Sequence, residues 1–333
     1  MSAKKNKKHK KSKAKAKKLY LILAFLAVII AVIVFLVFLF VFSNSYTFVP
    51  ENSIYVSSQT PQQGDTVLVK INATYPLVSG LFDGKNLNFF RQEKYDDWSA
   101  YLGIDADMEP GSYTILADAL GKTMQKEIIV GKKDFPSSKM STPKSLQAKG
   151  YTDEKVVANI RNNDNPNIED VLKNSNPEPY FTGAFSLPLK NIVKSGFGFG
   201  DFLDYSSYRI QHLGIDLRAG IDTKVYSVNR GKVVMTKELS NYGKTIVVDH
   251  GVGIFSMYLH MDQFDVKEGD IVKKNQIIGL SGDSGYTAGP HLHFSMRDNG
   301  TRIDPIAFIN ETRKTAPNNG LASLLNIFLH IFR

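Results

Sequence analysis

The run LYLILAFLAVIIAVIVFLVFLFVF, residues 19–42, holds no charged position. About 20 consecutive apolar residues cross a bilayer as a helix. With no polar face, the run does not read as an amphipathic core helix. It is longer than the apolar core of a cleavable signal peptide, and the SNSYTF that follows is a poor cleavage site. The pattern predicts an uncleaved transmembrane signal anchor over residues 19–43.

Beyond the anchor the period changes to two. In residues 50–131 the runs TVLVKINAT, NLNFFRQ, WSAYLGI, SYTILADA and MQKEIIVG are separated by FDGKN, DMEPGS and LGK. Short alternating runs with close turns predict a small β-sandwich, with Trp98 in its core. Residues 132–184 begin with the polar, proline-bearing KKDFPSSKMSTPKSLQAK and continue with DEKVVANIRNNDN and NIEDVLKN, a linker with short helices. From 185 to 310 strand-like runs return: TKVYSV, GKVVMTKEL, KTIVVDH, GIFSMYLHM, QIIGLSG and HLHFSMR, punctuated by glycine. No long amphipathic helix interrupts them, so an antiparallel all-β domain is expected. The last run, LASLLNIFLHIFR at 321–333, sets Leu321, Leu324, Leu325, Phe328, Leu329 and Phe332 at helical spacing. This amphipathic segment is too short to span a bilayer and is expected to lie on the membrane surface or to dock on its own domain. The expected fold is mainly β: a transmembrane helix, a small sandwich, then the all-β domain.

Charge changes the picture at one end only. The chain has 333 residues, 41 Lys and Arg against 32 Asp and Glu, and a formal charge of +9. Ten of the lysines (4, 5, 7, 8, 10, 11, 13, 15, 17 and 18) lie within residues 1–18, which hold no acid. Without them 31 basic residues face 32 acidic ones, so a nucleic-acid-binding domain surface is not supported. The lysines form a basic cytoplasmic tail, and the positive-inside rule puts the rest of the chain outside the membrane. Cysteine is absent, which excludes a disulfide framework and thiolate metal ligands.

Of the seven histidines, His212, His250, His260, His291 and His293 lie in the all-β domain. In AGPHLHFSM, strand alternation points His291 and His293 to one face. Two imidazoles on a half-buried strand are costly unless their nitrogens are satisfied. QHLGIDL sets His212 four residues before Asp216, and MYLHM carries His260. Catalytic zinc takes three protein ligands and keeps a fourth position for water. The residues suffice for that set, with histidines left over to handle protons. His250, in VVDHG at the end of a strand, reads as structural.

HLGIDL, YLH and GPHLHF resemble the motifs of the lysostaphin-type zinc metallopeptidases, which cleave peptide cross-links of bacterial cell walls. The resemblance covers residues 185–310 and includes FGFGD, GKVV, YGKTIVVDHGVGIFSMYLHM, VKEGDIVKKNQIIGLSGDSG and IDPIAFI in order. It implies one Zn2+ per chain held by His212, Asp216 and His293, and catalytic roles for His260 and His291, without saying which is the base. It implies an endopeptidase acting on cross-links or stem peptides of bacterial peptidoglycan, which the apolar run and the lysines before it would place at the cytoplasmic membrane, N-terminus inside and catalytic domain on the periplasmic or extracellular side. Cell-division or wall-remodelling proteins are the further partners it suggests. An oxyanion-binding tyrosine is expected upstream of the first ligand, where Tyr205 and Tyr208 both stand. Two positions depart from the family's habit: Ser295 replaces an acidic residue, and Gly200 and Asp201 stand where an arginine is common. The alternative class is a non-catalytic member that binds the wall and activates another hydrolase. Such proteins usually lack part of the five-residue set, which is complete here.

Overall fold

The structure is a computed structural model that describes residues 23–35, 52–73, 77–91, 97–191, 193, 196–205 and 208–315. Helix α1 (23–35) is exposed along its length. Among the described residues no helix is long and apolar enough to cross a membrane. The rest of the anchor expected over 19–43, the basic tail 1–18 and the segment 321–333 lie outside the described residues.

Val49–Ala316 form one compact unit. Its first part has strands β1 (Ile54–Val56), β2 (Thr66–Asn72), β3 (Ser79–Phe82), β4 (Lys85–Asn86), β5 (Phe90–Arg91), β6 (Asp97–Gly103), β7 (Gly111–Ala119) and β8 (Lys122–Val130). They make two four-stranded antiparallel sheets, β1-β2-β6-β5 and β4-β3-β7-β8. Alternation explains the layers: Ile115, Ala117, Met124, Ile128 and Val130 point inward from β7 and β8. Trp98 is buried in the same core.

The stretch expected to be a linker is built into the fold. Strand β9 (Ser137–Lys139) pairs in parallel with β10 (Phe202–Asp204), whose other neighbour is β11 (Arg209–Gln211). Helices α2 (Lys144–Ala148) and α3 (Asp153–Asn159) follow, then a π-turn over Ile160–Asp164 and α4 (Asn165–Leu172). Thr152 caps α3 by accepting from the Lys155 amide. Ile168, Val171 and Leu172 of α4 pack on Met257 and Leu259 of the main sheet, so the hydrophobic face of the helix is spent on the domain it was expected merely to precede.

That sheet has nine strands: β12 (Ile215–Leu217), β13 (Lys224–Tyr226), β14 (Gly231–Leu239), β15 (Gly243–Asp249), β16 (Ile254–Phe264), β17 (Ile271–Val272), β18 (Ile277–Ser281), β19 (Leu292–Asp298) and β20 (Thr301–Ile303). All of its pairings are antiparallel. Strand pattern was expected as far as 310, but the chain turns helical at α5 (Pro305–Thr315). Asp304 accepts from the Ile306 amide and Pro305 opens the helix, which is ordinary N-terminal chemistry.

The sandwich and the nine-stranded sheet share a core. Leu68, Phe90 and Tyr101 of the sandwich cluster with Phe181, Phe185 and Phe308. Gly103 N–H donates to Asp298 Oδ2 (2.7 Å), and Arg302 pairs with Asp105 (3.1 Å) and Asp107 (2.7 Å).

Candidate metal centre

Strand alternation places the acidic and imidazole groups. Ile215 and Leu217 of β12 are buried in the core, so Asp216 between them faces the other way. Leu292 and Phe294 do the same for His293 on β19. The register sets Asp216 directly opposite His293, and Leu259 on the far side of His293. His212 stands just before β12, four residues from Asp216.

The three groups converge. His212 Nε2 lies 3.1 Å from Asp216 Oδ1 and 2.9 Å from His293 Nδ1, and His293 Nδ1 lies 3.1 Å from Asp216 Oδ1. They form a group able to hold a metal ion, with ligand atoms all within 4.8 Å of one another. The hydrogen bonds behind them suit that use. His212 Nδ1–H donates to Gly198 O (2.9 Å), which leaves a lone pair on Nε2. Phe197 N–H donates to Asp216 Oδ2 (3.1 Å), holding the carboxylate from behind. Two lone pairs and a carboxylate oxygen aimed at one point are satisfied together by a cation. His, Asp and His are ligands suited to zinc.

Two glycines make room. A Cβ on Gly214 would stand 2.4 Å from His293 Nε2, and one on Gly196 would stand 2.6 Å from Asp216 Oδ2. The glycine in HLGID therefore serves the second histidine motif, far away in sequence.

The charges follow from burial and pairing. Burial pushes the Asp216 pKa up, but hydrogen bonds from His212 and His293 and their charges hold it far below the usual carboxylate range. Burial works against a charged His212, yet the hydrogen bond and charge of Asp216 raise its pKa. His293 is pushed down to about 4, chiefly by burial. His260 is pushed down to about 3 by burial, then by the neighbouring His291 and His293.

The other two histidines sit beside the triad. The His260 ring centroid is 4.8 Å from that of His291 and 6.3 Å from that of His293. His260 Nδ1–H donates to Ser284 O (2.8 Å) and His291 Nδ1–H to Gly289 O (2.9 Å), so the free Nε2 of each is the one left for chemistry. His291 Nε2 comes within 3.5 Å of Asp216 Oδ1. His260 also has a left-handed backbone, φ 59°. A non-glycine residue held there stores strain of order 1–3 kcal/mol, a feature common at functional sites.

All five residues line one cavity of about 500 Å³. His250 does not: it is fully buried elsewhere, between Arg230 O (2.9 Å) and Ser256 Oγ (2.7 Å). Of the two tyrosines, Tyr205 lines the cavity, its hydroxyl 3.4 Å from that of Tyr286. Tyr208 stacks on Tyr205 with ring centroids 4.7 Å apart, and its buried hydroxyl has no partner among the described residues. Burial raises the pKa of both well above the usual phenol value. Sequence patterns missed the contribution of the helical segment to the cavity lining, made by Leu146, Val156 and Ile160. Their helical spacing was visible, but nothing local says what a helix will cover. Phe197, beside Asp216, was also missed, although it lies within the glycine-flanked SGFGFGD.

The antiparallel β domain thus sets a His/Asp/His group able to hold a metal ion beside two further histidines. The family model described as Peptidase family M23 matches residues 210–305 of this chain. Lysostaphin from Staphylococcus simulans is 36% identical over 135 residues, which are 38% of this chain and 27% of that protein. Peptidoglycan DD-endopeptidase ShyA from Vibrio cholerae is 33% identical over 114 residues, 34% of this chain and 26% of its own length. The chain thus spans about a quarter of the length of such curated relatives. A crystal structure described as a peptidase M23 from Pseudomonas aeruginosa superposes with a TM-score of 0.57 at 25% identity, over 75% of this chain and 94% of that one.

Proposed function

We infer that this chain is a zinc-dependent endopeptidase that hydrolyses peptide bonds of peptidoglycan. The observation that carries the reading is the convergence of His212, Asp216 and His293 beside the free Nε2 atoms of His260 and His291. His212, Asp216 and His293 would hold the zinc. Bound there, zinc acts as a Lewis acid and turns water into a nucleophile near neutral pH.

The remaining work falls to the chain's own groups. A neutral His260 or His291 accepts a proton at Nε2 from the attacking water and returns it to the leaving amine. The carbonyls of Ser284 and Gly289 hold each ring so that Nε2, not Nδ1, faces the reacting atoms. Tyr205, on the cavity wall, would donate its phenol proton to the oxygen that gains charge. The peptidoglycan substrate is supported by relatives named as peptidoglycan endopeptidases.

The reading includes attachment to the membrane through residues 19–43 with the enzyme outside, supported by the length of the apolar run and the lysines before it. Zinc content of the purified protein, and new amino termini released from purified peptidoglycan with and without a chelator, test the activity. Activity lost to the chelator and regained with Zn2+ is expected. A protein that binds zinc yet releases no termini would overturn the peptidase reading. Protease accessibility of intact cells tests the topology: digestion of residues 50–316 from outside is expected, and full protection would contradict it.

A further inference from the structure

Asp164 ends the π-turn between α3 and α4 and is fully buried. Among the described residues no cation pairs with it. Its Oδ1 accepts from Ser240 N–H (2.9 Å), and its Oδ2 accepts from Asn241 N–H (2.7 Å) and Tyr242 N–H (3.3 Å). Those three consecutive amides make up the turn between β14 and β15. A carboxylate buried without a counter-ion costs several kcal/mol unless donors surround it. Here backbone amides do so, and the carboxylate gathers the turn in return. The rest of the turn is held from the same side. Tyr151 OH donates to Ser240 O (2.9 Å), Asn241 Nδ2 donates to Val156 O (2.6 Å), and Asn159 Nδ2 donates to Asn241 Oδ1 (3.0 Å).

The turn continues directly into the site. Tyr242 O accepts from His260 N–H (3.0 Å), and Asn241 O accepts from Tyr286 N–H (2.8 Å). The β15–β16 ladder shifts register between Lys244 and Ile246, near this end of the strands. His260 therefore leans on individual bonds: its amide to Tyr242 O, its Nδ1–H to Ser284 O, and its own carbonyl receiving Gly282 N–H (2.9 Å). With φ at 59° it relaxes if those bonds loosen.

The geometry points to Asp164 as a positioning residue that sets His260 through the Ser240–Tyr242 turn. The assignment rests on the peptidase reading, in which His260 moves a proton. It makes residues 144–172 part of the working site.

The test uses the full-length, zinc-loaded protein and the substitutions Asp164→Ala and Asp164→Asn. Asp164→Ala should lower kcat by about 10- to 100-fold, the cost of a small misplacement of a reacting group, with KM nearly unchanged. Zinc content should stay at one per chain. Asp164→Asn keeps one acceptor oxygen, so it should lose less, and it carries the test if the alanine variant does not fold. A second readout is independent of activity: the rate at which diethyl pyrocarbonate acylates His260, followed by mass spectrometry. That rate should rise severalfold in both variants while that of His250 stays as it was. Thr152→Ala, which removes the α3 cap without touching the turn, is the control. Unchanged kcat and unchanged His260 reactivity would overturn the assignment, as would equal losses in Thr152→Ala. A wild-type protein that cleaves nothing, but whose His260 reactivity still answers to Asp164, would overturn the peptidase reading and leave the positioning intact.

Discussion

His291 and His293 are two residues apart, and the reading gives them different work. His293→Ala removes one of three ligands, and two hold zinc poorly, so metal and activity should vanish together by metal analysis and assay. His291→Ala should keep its zinc and lose turnover by ~10²-fold or more. Loss of zinc from His291→Ala would show the two roles exchanged. Gly214→Ala tests the packing behind the site. Its methyl would stand 2.4 Å from His293 Nε2, so the ring must swing away. Zinc affinity, measured by competition with a chelator, should fall ~10- to 100-fold, as when supporting contacts of a ligand are lost. The residue types and spacings of HLGID and HLHF were legible because strand alternation is local. Which nitrogen of each ring faces the cavity was not legible. That depends on Gly198, Ser284 and Gly289 carbonyls brought in from other loops.

Helices and strands were legible in proportion to how far their reasons are local. The sandwich strands β7 and β8 alternate cleanly, and their pattern predicts them. Helix α5 was passed over as a continuation of strand, although Asp304-Pro305 is a local start signal. Asp304→Ala should cost about 1 kcal/mol of stability, the usual worth of such a cap, seen as a shift in the urea midpoint. No shift would mean that Phe308, buried in the shared core, holds the helix alone. The segment 132–184 was expected to be a linker because its composition is polar. Its strand β9 instead pairs with β10, and its helix α4 buries an apolar face on the main sheet, partners more than 60 residues away that no window of sequence contains.

Among the described residues, His250 and Asp298 are buried titrating groups away from the metal centre whose shifts act on stability with opposite signs. Burial pushes His250 down to about 4 against the Arg230 carbonyl that favours its charge. In the unfolded chain it titrates near 6.5. Its contribution to stability is thus present above about 6.5 and is lost as pH falls toward 4. Burial pushes Asp298 up to about 7, opposed by the Gly103 amide and the Lys85 charge. The folded state keeps a proton that the unfolded one has released above about 4, so this contribution is lost as pH rises from 4 to 7. Asp298→Asn removes the second slope only. Its melting temperature relative to the parent should therefore rise between pH 4.5 and 8, in buffers at those two values chosen on that linkage (about 4 and about 7 being the limits). A constant difference would show Asp298 ionised throughout against Gly103. The sequence alone determined the β class and the anchor-like run, because these depend on alternation and length within a short stretch, and the motifs HLGIDL, YLH and GPHLHF pointed by resemblance to the five residues around the centre. Only the tertiary structure decided that the sandwich shares a core with the nine-stranded sheet, that the polar segment walls the cavity, and that Asp164 grips the turn behind His260. These are pairings between distant segments, and the free energy that selects them is burial and hydrogen bonding summed over the assembled fold.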